Sequence, residues 1–223
     1  MSLIRRAKRE NIPLKLGVRG PSGSGKSYSS ILLAKGLMGG SLDEVVVLDT
    51  ENGSADLYSD LGSYSVLPFK APFNPDRYVK AIKYCVDEGF KCIIIDSTSH
   101  EWQACLDIHA KIPGNSFTAW AKVTPMHDGF IKAILEAPIH IICTMRTKQE
   151  YSMDKNDKGK IEIVKMGTKE IQRDGFEYEL TASFNVDIFH NATMSKDRTN
   201  LFNNGVPFMI SEETGKTIRD WNS

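Results

Sequence analysis

Gly20-Pro21-Ser22-Gly23-Ser24-Gly25-Lys26-Ser27 fits the pattern G-x-x-x-x-G-K-[ST], in which glycines let successive backbone N–H groups turn inward around phosphate oxygens. Lys26 supplies a point charge for the β and γ oxygens, and Ser27 a hydroxyl for Mg²⁺. The following helix adds the positive end of its dipole. Residues 14–19 alternate like a strand entering the loop, and Ile31, Leu32, Leu33 and Leu37 recur at helical spacing after it. A Gly/Ser-rich surface turn with a solvated lysine would need neither flank. The strand-loop-helix context therefore assigns Gly20, Pro21, Ser22, Gly23, Ser24, Gly25, Lys26, Ser27 and the adjoining Tyr28 to a nucleoside triphosphate, with ATP and Mg²⁺ as the expected ligands.

Two apolar runs extend the reading. Val45-Val46-Val47-Leu48 precedes Asp49-Thr50-Glu51, and Cys92-Ile93-Ile94-Ile95 precedes Asp96. Both read as strands buried on both faces, as in a parallel sheet. An aspartate at the end of such a strand holds Mg²⁺ beside the loop serine, which gives Asp96 and Ser27 the metal. The residue after Asp96 is Ser97, where many motor ATPases carry their catalytic base. In open parallel sheets the ligand crevice lies beyond the carboxyl ends of the strands. Glu51 arrives at that edge and is the candidate base. Residues 139–144 form a further buried strand ending in Thr144.

The 223 residues, 41% hydrophobic and 25% charged, suit one α/β domain spanning 1–223. Cys85, Cys92, Cys105 and Cys143 sit in apolar stretches without a C-x-x-C pair, pointing to core residues in a reducing compartment. No apolar run approaches the ~20 residues of a membrane span, and the start lacks a secretory h-region, so the expectation is a cytoplasmic protein with no membrane partner. The formal net charge of zero excludes a globally electropositive molecule and leaves nucleic-acid binding to a local patch. Residues 1–12 form a basic terminal segment.

Further along, Asn74-Pro75 starts a helix that runs toward Gly89, and the stretch from Asp96 to Pro138 is mostly helical with a break near Pro113-Gly114. Trp102, Trp120, His100 and His109 are candidates for stacking on bases or for the core. Residues 148–169 read as a mobile loop or hairpin; Arg146, Lys148, Lys155, Lys158, Lys160, Lys165 and Lys169 could follow phosphates there, or the segment is a merely solvated hairpin. A helix is expected over 171–180 and a strand over 183–189. Lys196 and Arg198 fall on one face of a strand or hairpin as a two-pronged basic clamp. Residues 202–210 read as a turn and strand, and Ser211 caps a last helix.

The phosphate loop, Val47-Leu48-Asp49-Thr50-Glu51 and Ile94-Ile95-Asp96-Ser97 resemble the nucleotide core of RecA-type recombinases. Over nearly its full length the chain is similar to phage-encoded AAA-type ATPases with a RecA-like core, including the Sak-type single-strand-annealing ATPases. That likeness is carried by residues 144–151, 172–179 and 195–199. The resemblance implies a RecA-like fold: a mostly parallel sheet flanked by helices, with a C-terminal β-hairpin extension. It implies that Glu51 is the hydrolytic base and that Lys196 and Arg198 act in trans in a homo-oligomeric ring or filament with shared active sites. It also implies single-stranded DNA and a single-strand-binding protein as partners, in the host cytoplasm. RecA has an Asn-Gln pair where this chain has Thr144-Met145-Arg146, which leaves the γ-phosphate sensor unassigned. A nucleotide-gated annealing module with little hydrolysis and a small-molecule kinase remain alternatives, although the chain lacks an evident arginine-rich lid.

Overall fold

The computed structural model describes residues 6–155, 161–202 and 205–223. Its central feature follows from the apolar runs, whose alternate residues face opposite sides of one sheet. Strands β1 (Lys15–Gly20), β2 (Val45–Asp49), β3 (Ser65–Pro68), β4 (Cys92–Asp96), β5 (His140–Lys155), β6 (Ile161–Glu170), β7 (Ala182–Val186) and β8 (Ala192–Asp197) take the order β3-β2-β4-β5-β1-β7-β8, with β6 pairing β5. Every neighbour pair from β3 to β7 is parallel, while β7–β8 and β5–β6 are antiparallel. The sheet is therefore the mostly parallel one expected, closed at one edge by the C-terminal hairpin β7–β8.

Val45, Val47, Cys92, Ile94, Leu16 and Val18 pack on one side with Ile31, Leu33 and Leu37 of α1 (Lys26–Leu37) and Ile218 of α6 (Glu212–Asn222). Val46, Leu48, Ile93, Ile95 and Ile141 pack on the other with Tyr78 and Ile82 of α2 (Pro75–Asp87) and Phe130 and Ile134 of α4 (Ser116–Glu136). Between α2 and α4 comes α3 (Ser99–Lys111). All four cysteines are buried and free, in keeping with their core reading. Asn74 and Pro75 begin α2 as the sequence indicates, and Ser211 begins α6 in a reciprocal capping box with Thr214.

Three readings need correction. The helix expected over 171–180 is only the single turn α5 (Phe176–Glu179), because Gly175 is left-handed at φ 96° and the preceding residues are bound elsewhere. Ile171 N–H donates to Arg146 O, and the buried Gln172 side chain donates to Thr98 O. The strand expected over 202–210 reduces, in the described residues, to one bridge between Ala192 and Phe208. The strand expected over 183–189 ends at Val186, where the 187–191 turn begins.

Two helical glycines hold α6 against the helix that follows the phosphate loop. A Cβ on Gly36 would meet Glu212 O at 1.8 Å, and one on Gly215 would meet Leu33 O at 2.1 Å. Neither contact can relieve itself by a rotamer change, since the obstructing atoms are backbone. Gly215→Ala is expected to destabilise the fold by about 3 kcal/mol through overpacking, lowering the melting temperature by roughly 10 °C in a chain of this size. Gly129, also helical, has no atom within 4 Å of its Cβ position. Gly129→Ala should be neutral or slightly stabilising, and equal melting shifts for the two variants would refute the close-contact account.

Candidate functional site

Because β1, β2, β4 and β5 run parallel, one edge of the sheet gathers the phosphate loop after Gly20, Thr50-Glu51 and Asp96-Ser97 from three strand ends. The strand expected to end at Thr144 instead continues to Lys155 as the first arm of the β5–β6 hairpin, and it passes the same edge with Thr144 to Arg146. These segments open on a cavity of about 500 Å³ whose lining includes Ser22, Gly25, Lys26, Ser27, Glu51 and Asp96. Of the residues that the sequence marks, Ser22, Gly23, Gly25, Lys26, Ser27, Tyr28, Glu51 and Asp96 thus share one cavity, while Gly20, Pro21 and Ser24 are not in its lining. Gly23 and Gly25 carry φ of 80° and 82°, the left-handed geometry that aims consecutive N–H groups into a concave loop. Beside Gly23 the space is open, while a Cβ on Gly25 would meet the His190 ring at 3.0 Å.

The charged groups are bound to one another across the strand ends. Ser27 Oγ donates to one Asp96 carboxylate oxygen, and Thr144 Oγ1 donates to the other at 2.6 Å. Thr144 is fully buried, so its hydroxyl is committed to Asp96 and does not face the cavity as a sensor would. Burial raises the Asp96 pKa, and the two hydroxyls oppose that shift. Lys26 Nζ lies 2.8 Å from Pro21 O. Burial lowers its pKa, and the carboxylates of Asp96 and Glu51 act in the opposite direction.

Glu51 is held by a loop tied to Asp49, whose carboxylate accepts from Glu51 N at 2.6 Å and Gly53 N at 2.7 Å. Its own carboxylate is forked by Arg146, with Nε 3.0 Å from Oε1 and Nη2 on Oε2. Ser97 Oγ also reaches Oε1 at 3.3 Å. Arg146 reads in sequence as one of several cations that could follow DNA phosphates; the structure instead puts its side chain in the cavity. Thr50 Oγ1 accepts from Ser97 N at 2.7 Å and sits 2.7 Å from His100 Nδ1.

Several contributors have no local sequence signal. His190, at φ 68° in the 187–191 turn, brings Nδ1 within 3.0 Å of Ser24 O, so Nδ1 carries the hydrogen. Arg19, next to the loop, donates through Nη1 to Glu170 at 2.8 Å and Glu177 at 2.6 Å, all three being largely buried. This joins the last residue of the β5–β6 hairpin to the strand that carries the phosphate loop. Tyr28, Tyr58, Met209 and Ile210 give the cavity an apolar wall suited to a nucleobase.

Lys196 and Arg198 lie elsewhere. In the antiparallel β7–β8 pair Lys196 faces Ser183, and Arg198 N–H donates to Thr181 O, while Thr181 N–H donates to Lys15 O at the start of β1. Arg198 thus sits at the opposite end of the sheet from the phosphate loop, about 16 Å away at ~3.3 Å per residue, and Lys196, level with Ser183 and Gly17, about 10 Å away. Both side chains reach Tyr178 O, so they share a face as their spacing indicates. Neither lines the cavity of its own chain.

The candidate base-stacking rings are engaged with other rings of the chain. Trp102 stacks on Trp120 at 5.7 Å, Trp120 on His109 at 4.3 Å, and His100 on Phe73 at 4.8 Å. For the hairpin, β5 and β6 pair from Thr147↔Glu170 to Lys155↔Ile161. Lys158 and Lys160 lie outside the described residues. No described helix is long and apolar enough to cross a membrane.

The donor set fits the ligands expected from the loop. A serine hydroxyl and an aspartate at the end of a buried strand are oxygen ligands of the kind Mg²⁺ takes, and the glycine cradle with Lys26 fits a polyphosphate. The buried Ser24 and Ser54 hydroxyls lack hydrogen-bond partners, and Ser54 borders the cavity.

A comparison with curated proteins yields no match. Among solved structures the chain is similar to a KaiC-like protein from the hyperthermophilic archaeon Pyrococcus horikoshii, with 17% identity, a TM-score of 0.53, and coverage of 90% of this chain and 88% of that one. At that identity the likeness shows the fold, the RecA-type arrangement of sheet and helices. The AAA-domain family model matches residues 12–217. With nearly the whole chain inside that match, and phosphate loop, strand-end aspartate and sheet order in their required places, the chain belongs to the AAA-domain family of P-loop proteins.

Proposed function

We propose that the protein is a Mg²⁺-dependent ATPase that couples its nucleotide state to single-stranded DNA binding in recombination or replication, working as a head-to-tail homo-oligomer. The observation that carries the reading is the convergence of Lys26, Ser27, Asp96 and Glu51 on one cavity. Ser27 and Asp96 would hold Mg²⁺, which when bound neutralises charge on the phosphates. Lys26 would bind phosphate oxygens through its ammonium group. Glu51, set beyond the β2 strand end, would orient a water molecule and accept its proton at a carboxylate oxygen. Lys196 and Arg198 cannot serve their own chain across the sheet, so in this reading they complete the cavity of a neighbour.

One observation favours the quieter alternative of a nucleotide-gated annealing module. With both Glu51 oxygens bound by Arg146, the base is engaged by a cation, which suits slow hydrolysis until that pair opens. A phage setting and Sak-type annealing rest on the sequence resemblance alone.

The test is phosphate release from ATP with and without single-stranded DNA, beside DNA binding across a salt series. The hairpin β5–β6 is the expected DNA element, and replacing Lys155, Lys158 and Lys160 together with Ala should remove DNA stimulation while sparing DNA-free turnover. The salt slope of binding should fall by about 2, the value for three single-strand phosphate contacts at ~0.7 each. Unchanged affinity and slope would reduce the hairpin to a solvated arm. A rate indifferent to DNA would remove the coupling from the proposal, and transfer of phosphate to a small molecule in place of water would favour a kinase.

A further inference from the structure

We infer that Arg146 exchanges partners within the cavity, binding Glu51 when the terminal phosphate position is empty and the γ-phosphate when a triphosphate enters. The inference rests on the proposed reading of Glu51 as the base and of the cavity as a triphosphate site. Three features of the chain support it.

The first is the geometry of the pair. The guanidinium occupies Glu51 as a fork, Nε on one oxygen and Nη2 on the other, while Ser97 Oγ takes a further position on Oε1. A carboxylate bound in this way has both oxygens engaged by a cation and is a poor acceptor for a proton from water, so the pair must open before Glu51 acts.

The second is that the backbone of Arg146 is fixed while its side chain can turn. Arg146 N–H donates to Ser99 Oγ at 2.9 Å, its carbonyl accepts from Ile171 N–H at 2.7 Å, and in the ladder it stands opposite Gly20, the first loop glycine. The side chain is 42% exposed, against 21% for Glu51. A long side chain on a fixed backbone beside the loop can leave one anion for another without disturbing the sheet.

The third is the set of groups available for the sensing role. Thr144, two residues earlier on β5, has its hydroxyl on Asp96 and is fully buried. Lys26 and Arg146 are the Lys and Arg side chains that line the cavity among the described residues. Lys26 belongs to the loop and meets diphosphate and triphosphate alike. A terminal phosphate, doubly charged with three acceptor oxygens, competes for the planar arginine fork more strongly than a single carboxylate does. A diphosphate leaves that position empty and leaves Arg146 on Glu51.

The exchange has a binding signature that needs no turnover. Affinities for ADP and for a non-hydrolysable ATP analogue, both with Mg²⁺, would be measured by calorimetry for the wild type, Arg146→Ala, Glu51→Gln and the double variant. Arg146→Ala should lower the triphosphate-over-diphosphate preference about tenfold, with ADP affinity unchanged as the control for a folded site. Glu51→Gln should raise triphosphate affinity several-fold by weakening the competing partner, and this gain should vanish in the Arg146→Ala background. If Arg146→Ala does not fold, Arg146→Gln keeps the stem without the charge and should show the same collapse of preference. A preference retained in the Arg146 variants, or a Glu51→Gln gain that persists without Arg146, overturns the exchange and leaves the nucleotide site standing. A wild-type protein that binds neither nucleotide overturns both.

Discussion

Glu51→Gln is expected to slow ATP hydrolysis about a hundredfold or more while nucleotide binding persists. Glutamine has the same shape, so the 49–53 loop, held by Asp49 rather than by the Glu51 side chain, should keep its form. What disappears is an oxygen able to accept a proton, and loss of a positioned general base removes typically a hundred- to ten-thousandfold. Single-turnover measurement separates this effect from altered product release, and the defect should appear in kcat. Near-normal turnover would remove Glu51 from the chemistry. Glu101 could not readily take over the role, because it is fully buried and hydrogen-bonded to His127 at 3.1 Å, so it could serve only after a rearrangement of α3 and α4.

A still larger effect is expected at the other end of the sheet. Arg198→Ala should reduce turnover on the order of a thousandfold or more, the magnitude associated with an arginine that reaches charge on the transferred phosphate. Nucleotide binding should remain close to normal, since Arg198 lies far from the cavity of its own chain. Lys26→Ala should be inactive for a different reason, having lost its phosphate contact while keeping Arg198. When the two inactive proteins assemble at random in equal amounts, about a quarter of the interfaces unite an intact loop with an intact arginine, and activity should reappear. Absence of recovery despite demonstrated co-assembly, or normal turnover by Arg198→Ala alone, would leave Lys196 and Arg198 as ties to the Tyr178 carbonyl.

The parts of the site that were legible in the sequence are those in which one short segment carries both the structural and the chemical signal. The phosphate loop needs its glycines within eight residues, Asp96 ends an unbroken apolar strand, and Glu51 follows another. Parallel strands then bring such segments together, so strand ends are a dependable guide to the crevice. Arg146 shows where that guide stops. In sequence it is one basic residue in a basic stretch, and only the β1–β5 register places it against Gly20 and Glu51. His190 and the Arg19–Glu170–Glu177 network likewise depend on segments more than a hundred residues apart. Gly36 and Gly215 look unfavourable on helix propensity alone, because their purpose is a backbone approach between two helices. Ile171 and Gln172 fall in a stretch that looks helical but are engaged with Arg146 O and Thr98 O, where tertiary bonds override local preference.

The seam between α1 and α6 also bears on how the protein is made. β1 and the phosphate loop precede the other strands in sequence, yet β1 is flanked by β5 and β7, and α1 packs against α6. Ile12, just before β1, exchanges hydrogen bonds with the Asn222 side chain. The segment translated early therefore finds its partners only when the ribosome has released residues more than a hundred positions downstream. Such long-range pairing is slow, and the waiting chain exposes apolar surface to other nascent chains. Until Arg146, His190, Met209 and Ile210 have emerged, a growing chain carries the whole loop sequence but not the walls that would make it a nucleotide site.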